Sequence, residues 1–398
     1  MFDEGADFRH RAQKLQAMVK GSGNQIDWCH EPVLCGHRRM RFYNAKLQRD
    51  IAAPISATPT IIRRAGVIVA SDDGYVRFFD PMLSKAYWEH RLNAGVYASL
   101  VVDDDREAVI VVTTKGEAVV FGYKGDIRWQ ADVGVPVFAT PALSPGADVL
   151  AIAGFHHQAI GFSLATGERL YQSDLPPPWG KAFGALAAFR NPYASPVITD
   201  GGMAIHCSGH SVVALDRDGA RCWVTELPAD IKASPVLLES LAKVFVTDVS
   251  GRVTAVSLHT GDVLDQRDLG GKVTASPALS QGIIAFGRSN GRVIALSAKS
   301  HEVAWTSEFG APRDYSSFTT TPSGDFVATA QSGNAICLCA QTGAFLWESS
   351  QVLGLADHAP PMNITPVVGG ARHMFCGSYD GNLYQFSFPD KIRGPHAD

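Results

Sequence analysis

The stretch SGRVTAVSLHTGDVLDQRDLGGKVTASPALSQGIIAFGRSNGRVIALSAKSHEVAW, residues Ser250 to Trp305, holds one pattern written almost twice. Gly251-Arg252-Val253-Thr254-Ala255 returns as Gly291-Arg292-Val293-Ile294-Ala295, a period of 40 residues. Lys232-Ala233-Ser234-Pro235 returns in the same way as Thr274-Ala275-Ser276-Pro277. Short apolar strands parted by glycine turns at that period predict the blades of a propeller.

Outward from this stretch the same turn recurs at Asp73-Gly74, Lys115-Gly116, His157-Gln158, Ser208-Gly209, Ser332-Gly333 and Asp380-Gly381. A small polar residue followed by glycine suits a tight hairpin, because a positive φ is cheap only without a Cβ. Each turn follows an apolar run such as Val67-Ile68-Val69-Ala70 and precedes an alternating one such as Val293, Ala295 and Ser297. An aromatic residue comes 13 or 14 positions after the turn at Trp88, Trp129, Trp223, Trp305 and Trp347. Tyr171 takes that place in the third repeat, and Asp265 breaks the rule in the fifth.

The fold class expected is therefore all-β, an eight-bladed β-propeller, with seven blades and a divergent cap as the alternative. The last repeat ends near Phe388 without a fourth strand. Ring closure supplies one, with strands of the Arg41–Ile51 region completing the blade begun by Asn363–Phe388 and removing an open edge. The domain reading is an N-terminal extension over 1–40, a single propeller over 41–390 and a disordered tail over 391–398. Within the extension, Phe8, Leu15, Met18 and Val19 are spaced for one short amphipathic helix over Asp7–Lys20.

A net charge of −4 and a pI near 6.3 leave no overall basic field for nucleic acid or an anionic membrane. Arg38, Arg39 and Arg41, the densest basic cluster, read as a solvated strand face. The opening MFDEGADFRHRAQK is charged, and no apolar run reaches membrane-spanning length, so the expectation is a cytoplasmic protein without membrane contact. Seven irregularly spaced cysteines fit reduced thiols better than a disulfide framework. Cys29, His30, Cys35 and His37 are soft-ligand types close together, but no second cysteine pair follows, so no metal is expected. His156, His157 and His210 likewise lack a third ligand at fixed spacing. Asp103-Asp104-Asp105 reads as a solvated turn on the opposite face.

The unit, (Ala/Thr)-(Ser/Thr)-Pro, strand, x-Gly, V-x-A-x strand, Thr-Gly-x-x-x-Trp, seen at its end in Thr342-Gly343-Ala344-Phe345-Leu346-Trp347, resembles the pyrroloquinoline-quinone-type (PQQ-like) propeller repeat. The resemblance spans roughly residues 41 to 388. In pattern it is nearest, through Glu226-Leu227-Pro228 and Ala233–Ser240, to the propeller appended to aminoadipate-semialdehyde-dehydrogenase-like adenylating proteins. Another relative in fold is the outer-membrane assembly lipoprotein that scaffolds a β-barrel machine; its lipobox and signal are not read here, and no envelope role is expected. The quinoprotein dehydrogenases of the superfamily use a vicinal cysteine pair, Ca²⁺ and an aspartate. The nearest pair here, Cys337 and Cys339, shares one face of a strand instead, so quinone-dependent oxidation and a cofactor are not expected.

In a four-stranded blade the second-to-third strand turn and the connection to the next blade emerge on one face, where insertions carry function. Three insertions, Gln172–Ala194, Gly310–Phe318 and Ser349–Asn363, bring Trp179, Lys181, Arg190, Arg313, Asp314, Tyr315 and His358 forward as ligand- or partner-binding residues. If the chain is an enzyme, His358, Asp357 and Tyr315 are the catalytic candidates. The leading expectation is a non-enzymatic binding scaffold for a protein partner, set by the resemblance in a biosynthetic or carrier-protein system. The alternative is an enzyme or small-molecule binder at the channel mouth.

Overall fold

The computed structural model describes residues 25–391 apart from 45, 63–64, 178–193, 274, 289, 309–315, 331–332, 351–363 and 371. The proposed helix over Asp7–Lys20 lies outside the described residues. Eight four-stranded antiparallel sheets form, together with one two-stranded ribbon. Their innermost strands begin at Thr60, Val101, Ala142, Val197, Val236, Ala278, Thr319 and Val367, and successive ones touch around most of the ring, including the last against the first. The chain is an eight-bladed propeller.

Burial explains the strand sequences. The second and third strands of each blade lie between two neighbouring blades, so both faces are covered and runs such as Gly66–Ala70 and Val149–Gly154 are buried throughout. The outermost strands, such as Ile127–Asp132 and Val263–Asp268, meet solvent on their outer side and read as alternating polar sequence.

The eighth blade closes the ring. Val33–Arg39 pairs antiparallel with Asn382–Ser387 and is the outermost strand of the sheet that Val367–Gly369 begins. Closure by N- and C-terminal strands in one blade is as expected, but the strand precedes the Arg41–Ile51 region assigned to it. Arg41–Asn44 and Arg49–Ala52 instead pair with each other as the ribbon. Arg38 and Arg39 supply part of the register with Leu383 and Asn382. A few residues earlier, Ile26 bridges Asp390 and the Asp27 N–H donates to the Pro389 carbonyl at 2.9 Å.

Two sets of contacts join the blades. Near the channel, the backbone N–H of Thr58 donates to Ser99 Oγ, and that of Ser99 to Thr140 Oγ1. The chain of bonds continues through Ser195, Ser234 and Ser276 to Ser317, each link between 2.9 and 3.2 Å and each residue buried. Six hydroxyls, four of them just before the repeat's proline, are thus the inner fastening from blade 1 to blade 7. On the outside, the indole N–H groups of Trp88, Trp129, Trp223 and Trp305 donate to carbonyls of Tyr123, Leu164, Leu258 and Ala340, always 35 residues ahead in the next blade. Trp347, which faces blade 8, donates instead to the carbonyl of Trp28, just before the closing strand, at 3.1 Å.

The rings of Trp88, Trp129, Trp223 and Trp305 each lie on a left-handed glycine. At Gly343, with φ of +68°, a Cβ would sit 2.4 Å from the Trp305 ring. The junction between blades 5 and 6 replaces both members of this pair. Asp265 stands where the tryptophan should, and His301, at φ +62°, stands where the glycine should; His301 Nδ1 lies 3.1 Å from Asp265 Oδ2. Burial works to raise the Asp265 carboxyl, but the Gln266 backbone N–H, Arg267 and His301 outweigh it and hold it below the ordinary carboxylate range. Lys243 Nζ meets the other nitrogen of His301 at 2.8 Å, so a polar chain fills the gap an indole would have filled.

Asp103 departs from the expected solvated turn. It is buried, accepts the Asp105 and Arg106 backbone N–H groups, and pairs with the Arg106 guanidinium at 2.8 Å; Arg106 also reaches Asp148 in the next blade.

Trp305→Ala should lower unfolding free energy by about 3–5 kcal/mol, whereas Asp265→Ala should cost only about 1 kcal/mol, as guanidinium titrations of both variants will show. His206 is fully buried, and among the described residues neither ring nitrogen has a partner. Burial lowers its pKa from 6.5 to about 4. Between those values the unfolded chain holds a proton that the folded one does not, so stability falls on acidification through that window by about 3 kcal/mol. His206→Val should flatten that part of the stability–pH curve, measured by thermal melts across the same range.

Candidate functional site

The turn between second and third strands packs beside a blade-to-blade connection, as expected. The N–H groups of Asp72, Thr114, Phe155 and Val249 in such turns donate to carbonyls of Pro54, Gly95, Pro136 and Asp230 in the connections. Val137 with Gly154, and Ile231 with Asp248, bridge the same two layers. The residue just before the inner-ring Ala-Ser or Ala-Thr is thereby carried to the channel mouth. That position is Ser56, Tyr97, Phe138 and Lys232 in blades 1, 2, 3 and 5.

Around blades 2 and 3 the mouth is aromatic. Tyr97 and Phe138 have ring centroids 5.4 Å apart, and Phe138 stacks on Phe155 at 5.1 Å with 8° between the planes. His156 meets the edge of Phe155, and Tyr379 joins from the eighth blade. Burial, then Tyr97 and Asp72, push the Tyr379 hydroxyl above its ordinary range. Tyr97, Phe138 and Phe155 are half-buried, and His156 and Tyr379 are exposed. Across the mouth, Lys232 and Lys272 are exposed on the connections into blades 5 and 6. The surface offers flat apolar contact on one side and positive charge on the other.

Asp72 sits at the edge of the aromatic arc. Its Oδ2 accepts the Ser56 hydroxyl at 3.0 Å, while among the described residues its buried Oδ1 has no partner. Burial raises the carboxyl from 3.8 to about 6, with the adjacent Asp73 adding to the shift and Ser56 opposing it.

Of the residues that the sequence brought forward, Trp179, Lys181, Arg190, Arg313, Asp314, Tyr315, Asp357 and His358 lie outside the described residues. The Cys/His group is dispersed. Cys29 Sγ faces Asp325 at 3.7 Å, Cys35 Sγ turns to the Val33 carbonyl at 3.3 Å, and His37 lies 6.0 Å from the Tyr384 ring. Among the described residues no three His, Cys, Asp or Glu side chains come together as metal ligands. Cys337 is buried in the packing between blades, and burial first, then Asp325, raises its thiol well above the ordinary value. Tyr97, Phe138 and Phe155 were missed because single aromatics in apolar sequence carry no motif. The signal was available in register, since Tyr97 and Phe138 precede the same Ala-(Ser/Thr) pair.

A family model described as outer membrane protein assembly factor BamB matches residues 72–307, more than half of the chain. The chain belongs to this family. Over 193 residues it is 27% identical to outer membrane protein assembly factor BamB of Yersinia pestis, covering 44% of this chain and 48% of that one. Over 218 residues it is 25% identical to the protein of that name from Nitrosomonas eutropha, covering 50% and 48%. The chain spans about half the length of the curated relatives it matches. Among solved structures, BamB from Moraxella catarrhalis superposes with a TM-score of 0.70 at 16% identity, covering 90% of this chain and all of that one. The C-terminal WD40 domain of Sif2 reaches 0.69 at 8% identity, covering 85% and 97%. At such identities these structures speak for the fold alone.

BamB-family membership corrects the cytoplasmic expectation, because the relatives are named as outer-membrane assembly factors. A propeller's core and turns carry no record of compartment, so composition was a poor guide to it. No helix among the described residues is long and apolar enough to cross a membrane.

Asp72→Asn tests the buried carboxyl. A folded-state pKa above the unfolded one means stability is lost as pH rises from about 4 to about 6, so the variant should melt higher than the parent at pH 7 to 8 and no higher near pH 4.

Proposed function

We propose that this chain is a protein-interaction scaffold in outer-membrane protein assembly, holding a protein partner at the mouth of its channel. The observation that carries the reading is the aromatic arc of Tyr97, Phe138 and Phe155, half-open to solvent and fixed by turns on a closed ring. Rigid aromatic side chains with one exposed face are the usual anchors of protein interfaces, since they bury large area at small entropic cost. Lys232 and Lys272 across the mouth add charge selection at the rim. The setting is supported by the name that the relatives share.

The biosynthetic or carrier-protein setting, with its link to the adenylating-protein propeller, rested on Glu226–Ser240. That segment joins blade 4 to blade 5, and its Ser234 is a link of the inner hydroxyl ring, so its sequence serves the fold. The enzymatic alternative rested on Tyr315, Asp357 and His358 and gains no support from the described part of the mouth.

A photo-crosslinking residue at position 97 or 138, introduced in the protein's own host, should capture a component of the outer-membrane assembly machinery. The same residue at Lys124, on the opposite face, should not. Tyr97→Ala with Phe138→Ala should weaken that association by about 30-fold or more and reduce outer-membrane protein levels. Capture only from position 124, or unchanged association in the double variant, would remove the mouth from the interface.

A further inference from the structure

A second surface, away from the channel, follows from how the ring closes. Between the outermost strand of blade 8 and the outer half of blade 1 lies a cleft of about 310 Å³. The ribbon of Arg41–Asn44 and Arg49–Ala52 forms its third wall. Blade 8 contributes Arg38 and Arg39, the ribbon contributes Arg41, Tyr43 and Asp50, and blade 1 contributes Tyr75, Arg77 and Glu89. In a chain of net charge −4, four guanidinium groups meet only two carboxylates here.

Arg77 has its charge answered within the fold. It is buried, lies 3.2 Å from Glu89 and 3.7 Å from Asp73, donates to Ser71 Oγ and the Arg41 carbonyl, and rests on the Tyr75 ring at 4.4 Å. Arg38, Arg39 and Arg41 differ. They are exposed, and among the described residues no carboxylate lies within ion-pair distance of any of them. Arg38 is steadied by the Phe79 ring at 5.7 Å, which leaves the donors of its guanidinium fork for a ligand. Beside them Tyr43, 63% exposed, stands directly opposite Asp50 in the ribbon and on the same face as Arg41.

We propose that this cleft docks an acidic segment of a protein partner, with carboxylates at Arg38, Arg39 and Arg41 and an apolar side chain against Tyr43. Single exposed ion pairs are worth about 1 kcal/mol or less, so binding requires several at once together with apolar contact. A peptide with alternating acidic and apolar side chains supplies both, whereas a phosphate or a flat lipid headgroup layer uses only the charges. Asp50 bounds the positive surface on the ribbon side and penalises a carboxylate placed there.

The probe is a fluorescein-labelled peptide of about ten residues alternating Glu with Leu and Phe, read by fluorescence anisotropy on the full chain. It should bind, weaken with rising salt, and lose about ten-fold or more in affinity in Arg38→Glu with Arg41→Glu. Tyr43→Ala should weaken it at unchanged salt dependence, and Lys124→Glu, on the opposite face, should leave it unaltered. All four side chains are exposed, so melting temperatures should match the parent and separate loss of binding from loss of fold. Equal binding by the Arg38/Arg41 variant, or equal binding of the Lys-for-Glu peptide, would overturn the proposal. So would tighter binding to phosphatidylglycerol vesicles than to the peptide, lost in the same variant, which would make the cleft a membrane contact.

Discussion

The bond from one blade's backbone N–H to the next blade's Ser or Thr hydroxyl is the constraint on which the ring depends. Near the channel the strands converge and there is no room for large side chains between them. A hydroxyl one carbon from the backbone is short enough to bridge the gap and satisfies a buried N–H that would otherwise be orphaned. The proline that usually follows has no N–H to leave unpaired. From Thr58 through Ser99, Thr140, Ser195, Ser234 and Ser276 to Ser317 the bond is repeated at nearly constant length. From blade 1 to blade 7 the angle of one blade to the next is therefore fixed at the smallest radius, where a small error would be largest at the rim.

Further out the gap between blades widens and must be filled. An indole does this, with its N–H spent on a carbonyl of the next blade and its ring on a glycine that offers no Cβ. The junction between blades 5 and 6 shows that the gap, rather than the indole, is what has to be satisfied. There Asp265, His301, Lys243 and Arg267 supply a connected set of charges and hydrogen bonds. The inner hydroxyl bond between Ser234 and Ser276 is retained across that same junction. The wedge can be exchanged for other chemistry, and the inner bond is kept.

A ring so fastened gives its mouth residues fixed positions. Tyr97 and Phe138 each precede an inner-ring residue by two places, so the stacking of Phe138 on Phe155 is inherited from the skeleton rather than built by a special loop. The cleft at the closure has a different origin. Because the chain must pass from the outer strand of blade 8 to the inner strand of blade 1, it has length to spare there, and it spends that length on the ribbon that carries Arg41 and Tyr43. The basic residues that looked like one solvated strand face are divided between a closing strand and that ribbon.

The sequence by itself determined the repeat, a count of eight blades with seven as the alternative, the place of the turns and the fact that the two ends share a blade. Those follow from local rules: a period near 40 residues, glycine where φ is positive, and apolar runs where both strand faces are covered. Closure by Val33–Arg39 rather than by Arg41–Ile51 was decided only in three dimensions, since both segments alternate and only the register with Asn382–Ser387 separates them. The aromatic arc and the arginine cleft were also decided there. Each is assembled from residues of different blades, and apart from the shared place of Tyr97 and Phe138 before Ala-(Ser/Thr), the order of residues along one strand does not say which residues of another blade it meets.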